Sequence, residues 1–328
     1  MRRREFISVL GGAAAALPLA ARAQQGERLA RVGLLLGAYT ESDKAGQERL
    51  GTFLKTLRER GWEDNRNLRI DYRWGGGNTE QNNRHAAELV QSAPDAIIAT
   101  SDPVLAQLHK LTSTIPIIFT QTSEPVESGI VTSLARPGGN KTGFQNFEPA
   151  IGGKWLQTLK EVAPGLKNAG ALFNRDAPAH AGFLQAAHHV APSLSMTVTV
   201  VDIQGELKHA ITTYAEQPDR GLLVFPHPRT IANRNLITSL AERHRTPAIY
   251  PYRYFASDGG LISYGPDQID QWRGAAVYLD RILRGQKPSD LPVQTPTKYE
   301  LAINLKAARA IGLTVSPGLI ARADEVIE

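Results

Sequence analysis

The chain has 328 residues, a formal net charge of +5, 42% hydrophobic residues and no cysteine. This length allows a large hydrophobic core, more often divided between two domains than held in one. The missing cysteines exclude disulfide bonds, thiol catalysis and cysteine-ligated zinc. Basic residues are not concentrated in any tract of the mature chain, which argues against a nucleic-acid partner.

Residues 1–23 have the pattern of a bacterial export signal. A positively charged start is followed by a weakly hydrophobic run over 7–21 and a small-x-small cleavage pattern at 21–23. The paired arginines favour the twin-arginine type, with an ordinary Sec signal as the alternative. An apolar run of about 15 residues is too short to span a bilayer. Removing four arginines and one glutamate leaves a mature net charge of +2, and we expect a periplasmic protein without a lipid anchor.

The first half of the mature chain alternates short branched apolar runs with amphipathic helical patterns. The predicted strands are 30–36, 68–74, 96–100 and 115–120, and the predicted helices are 43–60, 79–91 and 103–111. This alternation is typical of a parallel sheet flanked by helices.

The alternation begins again after 138–140. The predicted strands are 169–173, 197–203, 221–225 and 248–250, and the predicted helices are 179–190, 207–216 and 231–244. The chain therefore contains two doubly wound α/β units of similar size. In such units a ligand binds outside the carboxyl ends of the strands.

The C-terminal part is expected to join the two units. It contains a predicted strand at 260–264, a helix at 268–283, an extended segment at 291–297 and a final helical pair at 303–311 and 317–327. Two α/β lobes linked by several crossing segments would form a hinged cleft.

Long motifs spread over nearly the whole mature chain carry a family resemblance. They lie at 123–126, 129–140, 142–144, 247–251, 259–267, 291–306 and 321–327. These segments resemble the ABC transporter substrate-binding family related to tryptophan-binding lipoproteins. The resemblance implies the type I periplasmic-binding fold, with three crossings between its lobes. We expect one lobe to comprise 27–145 plus 268–293, and the other 146–267 plus 294–328.

The resemblance also implies a function. It predicts a binding protein that delivers an aromatic amino acid or related small carboxylate to an ABC permease in the inner membrane. Family members named for tryptophan are often lipoproteins, whereas this chain lacks a cysteine to carry the lipid. A monomer is the simplest expectation for the oligomeric state.

The first candidate site lies between the third predicted strand and the helix that follows it. Thr100 and Ser101 precede Asp102 and Pro103. Free N–H groups and the dipole at the helix start would favour a ligand carboxylate, with both hydroxyls completing the site. The alternative is that these residues only cap the helix. Because the Asp102 carboxylate would repel an anion, we expect it to point away.

Further polar and aromatic candidates follow other predicted strands. Gln121 and Thr122 follow the fourth strand and are expected at the cleft mouth. Tyr39 follows the first strand, where its ring would stack on a ligand or cover the cleft edge.

The second unit offers four candidates at its strand ends. Asn174 could form a hydrogen bond to the ligand, and His227 is a contact or an ordinary packed histidine. Tyr250 and Tyr252 combine a large contact area with a polar tip.

Three candidates lie near the last crossing. Tyr264 is expected where both lobes meet. Asp267 would bind a ligand ammonium group or cap the helix that begins at Gln268. Asp258 is the other ammonium candidate, with a turn residue as its alternative.

The chain carries no sequence signature of an enzyme. A Gly-x-Ser-x-Gly elbow, a His-Glu-x-x-His motif and a phosphate-binding loop are missing from the sequence. His180, His188 and His189 could suggest a metal site, but the adjacent His188 and His189 point to different helix faces and few carboxylates lie nearby, so no metal is predicted. We therefore predict neither catalysis nor a cofactor. A transcription regulator is disfavoured because an export signal stands where a DNA-binding motif would be, whereas a periplasmic sensor that presents its ligand to a membrane receptor remains an alternative.

Overall fold

A parallel five-stranded sheet forms the first lobe. The computed structural model describes residues 29–328, so the predicted export signal lies outside the described residues. The strands run in the order β2-β1-β3-β4-β5. They are β1 (Ala30–Leu36), β2 (Leu68–Trp74), β3 (Ala96–Thr100), β4 (Ile117–Thr122) and β5 (Lys141–Gln145). All four neighbouring pairs are parallel.

Helices cover the first sheet and connect its strands. They are α1 (Lys44–Glu59), α2 (Thr79–Gln91) and α3 (Asp102–Leu111). The side chain of Asp43 caps α1 by accepting from Gly46 N–H, and that of Asn78 caps α2 by accepting from Gln81 N–H, each at 2.9 Å. Strands β3 and β4 are buried throughout, as expected of strands covered on both faces.

A seven-stranded sheet forms the second lobe, in the order β12-β11-β10-β9-β8-β6-β7. The strands are β6 (Asn168–Phe173), β7 (Thr197–Asp202), β8 (Arg220–Val224), β9 (Ala248–Tyr250), β10 (Ile262–Pro266), β11 (Tyr299–Asn304) and β12 (Glu325–Ile327). The β10–β11 pair is antiparallel, and the other pairs are parallel.

The longer helices of this lobe are α4 (Ile151–Val162), α5 (Pro178–Val190), α6 (Leu207–Tyr214) and α8 (Arg234–Arg243). The shorter ones are α7 (Pro228–Ala232), α9 (Arg253–Ser257), α11 (Leu305–Ala310) and α12 (Pro317–Ile320). Among residues 29–328, no helix is long and apolar enough to cross a membrane.

The chain crosses between the lobes three times. It leaves the first sheet after β5, returns after β10 as α10 (Gln268–Leu283), and leaves again to form β11. Helix α10 packs against α1 and against the first sheet. Trp272 of α10 is fully buried and meets the ring of Phe53 edge-on, with 5.9 Å between the ring centroids. The first lobe is therefore completed by a helix from late in the sequence.

An aromatic cluster fills the centre of the second lobe. The Trp155 ring lies 5.2 Å from Phe147, 5.4 Å from Phe183 and 5.8 Å from Phe225, measured between centroids. Its indole N–H donates to the carbonyl oxygen of Tyr264 at 2.7 Å. The one polar atom of this buried side chain is thus satisfied, as burial requires.

The final helical pair predicted at 303–311 and 317–327 is present, but both helices are shorter than predicted. Residues 299–304 form β11 and residues 325–327 form β12, so the two helices are confined to α11 and α12. Strand β11 pairs with β10 and buries Leu301–Asn304, and this tertiary pairing overrides a local helical pattern. Strand β5 was not predicted, and the predicted helix 231–244 divides into α7 and α8 at Asn233.

Candidate functional site

A pocket lies where the carboxyl ends of the two sheets face each other. In each sheet a crevice opens where the strand order reverses, between β1 and β3 in the first lobe and between β6 and β8 in the second. Open α/β sheets bind their ligands at such points. The residues lining the pocket come from both lobes and are Ser101, Asp102, Pro103, Gln121, Ser123, Ala177, Pro226, His227, Pro228, Ile231 and Tyr252.

The loop after β3 presents Ser101 to this pocket. Ser101 has a φ of 82°, a strained value for a residue with a side chain and one often found at functional sites. Its hydroxyl oxygen is buried and has no hydrogen-bond partner within residues 29–328. Thr100 differs, because its hydroxyl donates to Leu35 O at 3.1 Å and accepts from Gly37 N–H at 2.9 Å. Thr100 thus holds β1 and β3 together, whereas the Ser101 hydroxyl makes no such bond in the described residues.

Asp102 does not point away as we expected. It lines the pocket, where its Oδ1 accepts from the backbone N–H of Ser123 at 2.8 Å. Burial, with a smaller contribution from Glu124, raises the pKa of Asp102 to about 7. Asp102 is the one carboxyl group among the residues that line the pocket, and no lysine or arginine lines it beside Asp102.

Gln121 lies near the end of β4, where the pairing with β5 is irregular, and it is also held in a strained conformation, with φ 56°. Its Nε2 donates to the Tyr39 hydroxyl at 2.8 Å, so these two predicted site residues bind each other. Tyr39 is fully buried and does not line the pocket. Its Oε1 is buried without a partner in the described part of the chain. Thr122 is fully buried but does not line the pocket, and its hydroxyl donates to Thr120 O at 3.4 Å.

Tyr252 provides the aromatic surface of the pocket. Its ring stacks on Tyr254, with centroids 5.4 Å apart and planes 17° apart, and lies 5.6 Å from Phe147. Its hydroxyl accepts from Asn146 Nδ2 at 2.6 Å. Asn146 lies on the first crossing, so this bond links the crossing segment to the second lobe.

His227 faces the pocket as a neutral donor. Its Nδ1 accepts from Arg229 N–H at 3.1 Å, which assigns the proton to Nε2. Burial lowers the pKa of His227 to about 4. His180 lies behind it with ring centroids 5.8 Å apart; its Nδ1 accepts from Asn174 N–H and its Nε2 donates to Pro226 O. Burial lowers the pKa of His180 to about 3, so neither ring brings positive charge to the site.

Two further predicted residues of the second lobe lie outside this pocket. Asn174 lines the open mouth of the cleft, and its Oδ1 accepts from Asp176 N–H at 2.8 Å. Tyr250 is buried in the lobe, where its ring stacks on Phe255 at 5.1 Å. Tyr250 ends β9, whereas Tyr252 lies beyond the strand at the start of α9, so the two rings do not share a strand face.

The three candidates near the last crossing also have other partners. Asp267 caps α10 by accepting from Ile269 N–H at 2.9 Å, and Tyr264 stacks on Tyr299 with centroids 5.6 Å apart. Asp258 accepts from Arg234 Nε at 2.6 Å. The structure therefore does not bring these side chains to the pocket.

Contacts across the cleft include residues that the sequence did not single out. Arg234 of α8 donates through Nη1 to Asp43 of the first lobe at 2.5 Å. Gly77, with φ 75°, lies so close to the second lobe that an added Cβ would be 2.8 Å from Pro228 O. The lobes are thus in contact at the mouth of the cleft.

Arg49 is buried beside the pocket and was also missed. Its Nε and Nη2 donate to Gln268 Oε1 at 2.9 and 2.6 Å. Its guanidinium lies 4.6 Å from the centroid of Tyr254 and 5.7 Å from that of Tyr39. Arginines on amphipathic helices are common, so no local sequence signal distinguishes Arg49 or Arg234.

The described residues contain no group of three or more histidine, aspartate or glutamate side chains able to hold a metal ion. His180 serves instead as the buried neighbour of His227.

The architecture is the type I periplasmic-binding fold. A domain from Streptococcus pneumonia, solved in complex with L-Trp, superimposes with a TM-score of 0.82 at 23% identity and covers 91% of this chain and 99% of its own. A conserved domain protein from Vibrio cholerae superimposes with a TM-score of 0.83 at 24% identity, over 91% and 100% of the two chains.

The sequence comparisons define the family. The chain belongs to the ABC transporter substrate binding protein family, whose model matches residues 40–327. A tyrosine-binding protein of Clostridioides difficile is 26% identical over 264 residues, which cover 80% of this chain and 75% of the relative. The family resemblance is therefore confirmed, and the family is one of solute-binding proteins.

Proposed function

We propose that this protein is the periplasmic binding component of an ABC importer and that its ligand is an aromatic amino acid or a related small carboxylate. The observation that carries the proposal is the pocket between the facing carboxyl ends of the two sheets. The names of two similar proteins, one solved with L-Trp and one described as tyrosine-binding, support an aromatic ligand.

Ligand capture would proceed by closure of the lobes. Ser101 and Gln121 belong to the first lobe, and His227 and Tyr252 to the second, so a ligand that touches all four stabilises the closed form. Closure would also bring Asp43 and Arg234 together. We place the lobe boundaries at 145/146, 267/268 and 293/294, and the closed pair of lobes is the form that would dock with the permease.

The proposed contacts follow from the chemistry of the pocket. A ligand carboxylate would lie at the start of α3, near the Ser101 hydroxyl and the free N–H groups of the first turn. His227 Nε2–H would donate to it from the other lobe. The ligand ring would pack on Tyr252 and on the prolines that flank His227.

A thermal-shift screen of residues 24–328 tests the proposal. A ligand that binds only the native state raises the melting temperature. At a free ligand concentration of 100 times the Kd, the free energy of unfolding increases by about 2.7 kcal/mol. We expect L-tryptophan, L-tyrosine or L-phenylalanine to give the largest shift in a panel of amino acids, sugars and aromatic acids. A shift with sugars alone would refute the proposed ligand class.

A further inference from the structure

The first-lobe side of the pocket has an excess of hydrogen-bond acceptors. Gln121 donates its amide N–H to Tyr39, so its carbonyl oxygen Oε1 is the free end, buried and without a partner in residues 29–328. Within the same range, the carboxylate of Asp102 accepts one hydrogen bond, from Ser123. The hydroxyl of Ser101 is also unpartnered. Buried acceptors without donors are costly, and a ligand that supplies donors removes the cost.

The charge of the pocket favours the same kind of ligand. Asp102 is the one ionisable acid among the lining residues, and they include no lysine or arginine. His227 is neutral near pH 7, because burial lowers its pKa to about 4. Glu124 lies near enough to Asp102 to make a small contribution to its raised pKa. Among the residues that line the pocket, the Asp102 carboxylate therefore has no counter-ion.

We propose that Asp102 and Gln121 bind the protonated amine of the ligand, with Ser101 as a third acceptor. An ammonium group has three N–H donors, which matches the Asp102 carboxylate, the Gln121 Oε1 and the Ser101 hydroxyl. This inference rests on the proposed function and narrows its ligand class. By this inference the site would favour aromatic amino acids over aromatic acids that lack an amine.

The positive end of the α3 dipole disfavours binding of the ligand ammonium group only weakly. The helix dipole places about half a positive charge at its N-terminus, whereas Asp102, its first residue, carries a full negative charge when ionised. The ammonium and carboxylate of an amino acid share one carbon. The ammonium can therefore lie on Asp102 while the carboxylate lies against the first-turn N–H groups. One pair of neighbouring loops would recognise both ends of the zwitterion.

Isothermal titration calorimetry on the exported, processed protein tests the inference. The probes are L-tryptophan and L-tyrosine, their deaminated acids indole-3-propionate and 3-(4-hydroxyphenyl)propionate, and the amines tryptamine and tyramine. A charge-assisted hydrogen bond contributes about 1.5–3 kcal/mol, and two of them about 100-fold or more in affinity. We expect the deaminated acids to bind at least about 100-fold more weakly than the amino acids.

The variant Asp102→Asn distinguishes binding of the ligand amine from binding of the ligand carboxylate. An asparagine keeps the volume and still accepts from Ser123 N–H, so the melting temperature without ligand should show that the fold is intact. We expect a decrease of about 100-fold in affinity for the amino acids and of less than about threefold for the deaminated acids. Asp219→Asn, which changes a surface carboxylate paired with Lys167, is the matched control and should leave every affinity unchanged.

Two results would overturn the inference and leave the proposed function intact. They are equal affinity for the amino acids and their deaminated acids, or equal decreases for both in Asp102→Asn. If none of the six probes bound to a protein shown to be folded, the proposed ligand class would fail and this inference would fail with it.

Discussion

The ion pair between Asp43 and Arg234 is predicted to stabilise the closed form selectively. Arg234 also pairs with Asp258 of its own lobe, and that pairing does not depend on closure, whereas the pairing with Asp43 bridges the two lobes. The side chains of Asp43 and Arg234 are 9% and 10% exposed, so solvent screens their 2.5 Å interaction little. Asp43→Asn removes the charge but keeps a side chain that caps α1 as well as aspartate does.

The size of the effect follows from the strength of the interaction between these two side chains. A charge-assisted hydrogen bond contributes about 1.5–3 kcal/mol, which corresponds to a decrease of about 10- to 150-fold in affinity when the bond exists only in the closed form. Titration calorimetry with the best ligand from the thermal-shift screen measures this decrease, and small-angle scattering reports the fraction of closed protein. Asp258→Asn is the control, with an expected change below about threefold. An affinity for Asp43→Asn within twofold of the wild type would refute the reasoning.

Three further predictions concern the cleft mouth, pH and the core. Gly77→Ala should weaken ligand binding at least tenfold, because the new methyl group would lie 2.8 Å from a carbonyl oxygen of the other lobe. The control is Gly76→Ala, which is also at positive φ but whose added methyl group would lie 3.4 Å from its nearest neighbour. Equal affinities of the two variants in calorimetry would contradict this prediction. Binding of the amine requires ionised Asp102, and burial, with a smaller contribution from Glu124, raises the pKa of this residue to about 7. The affinity should therefore be constant above pH 7.5 and fall about tenfold per pH unit below pH 6.5. Titrations from pH 5 to 8 check this, and the pH dependence should disappear in Asp102→Asn. Trp155→Ala should cost about 3–5 kcal/mol of unfolding free energy in urea, because a fully buried indole is removed; a decrease below 1 kcal/mol would disagree.

The sequence predicted the parallel strands well because their signal is local. Strands β1, β2, β3 and β9 have the predicted bounds, since each is a short apolar run with clear ends. Strand β5, from Lys141 to Gln145, lacks such a run and is held instead by pairing with β4. The last two strands were missed for a similar reason, because β11 pairs with β10, which lies about 35 residues earlier, and β12 pairs with β11.

The candidate site was predicted in part, through the rule that ligands bind at the carboxyl ends of strands. This rule located the loops that carry Ser101, Gln121, His227 and Tyr252. It could not say which side chains of a loop face the pocket. Tyr250 therefore stood beside Tyr252 as an equal candidate, although the structure buries it against Phe255.

The sequence could not reveal the contacts across the cleft. Asp43 and Arg234 are 191 positions apart, and each has an ordinary local explanation as a helix cap or a surface arginine. Their meeting depends on the relative placement of two lobes, which no local pattern encodes.

The late position of α10 bears on how the chain matures during synthesis. Trp272 contacts Phe53 in the first lobe, so the core of that lobe remains incomplete until the ribosome has added more than a hundred residues beyond β5. At about 5–20 residues per second, this wait lasts on the order of 10 s. Over that time the nascent first sheet exposes the apolar face that α10 will cover, a surface that chaperones recognise. The two lobes therefore reach their native cores almost together, near the end of translation.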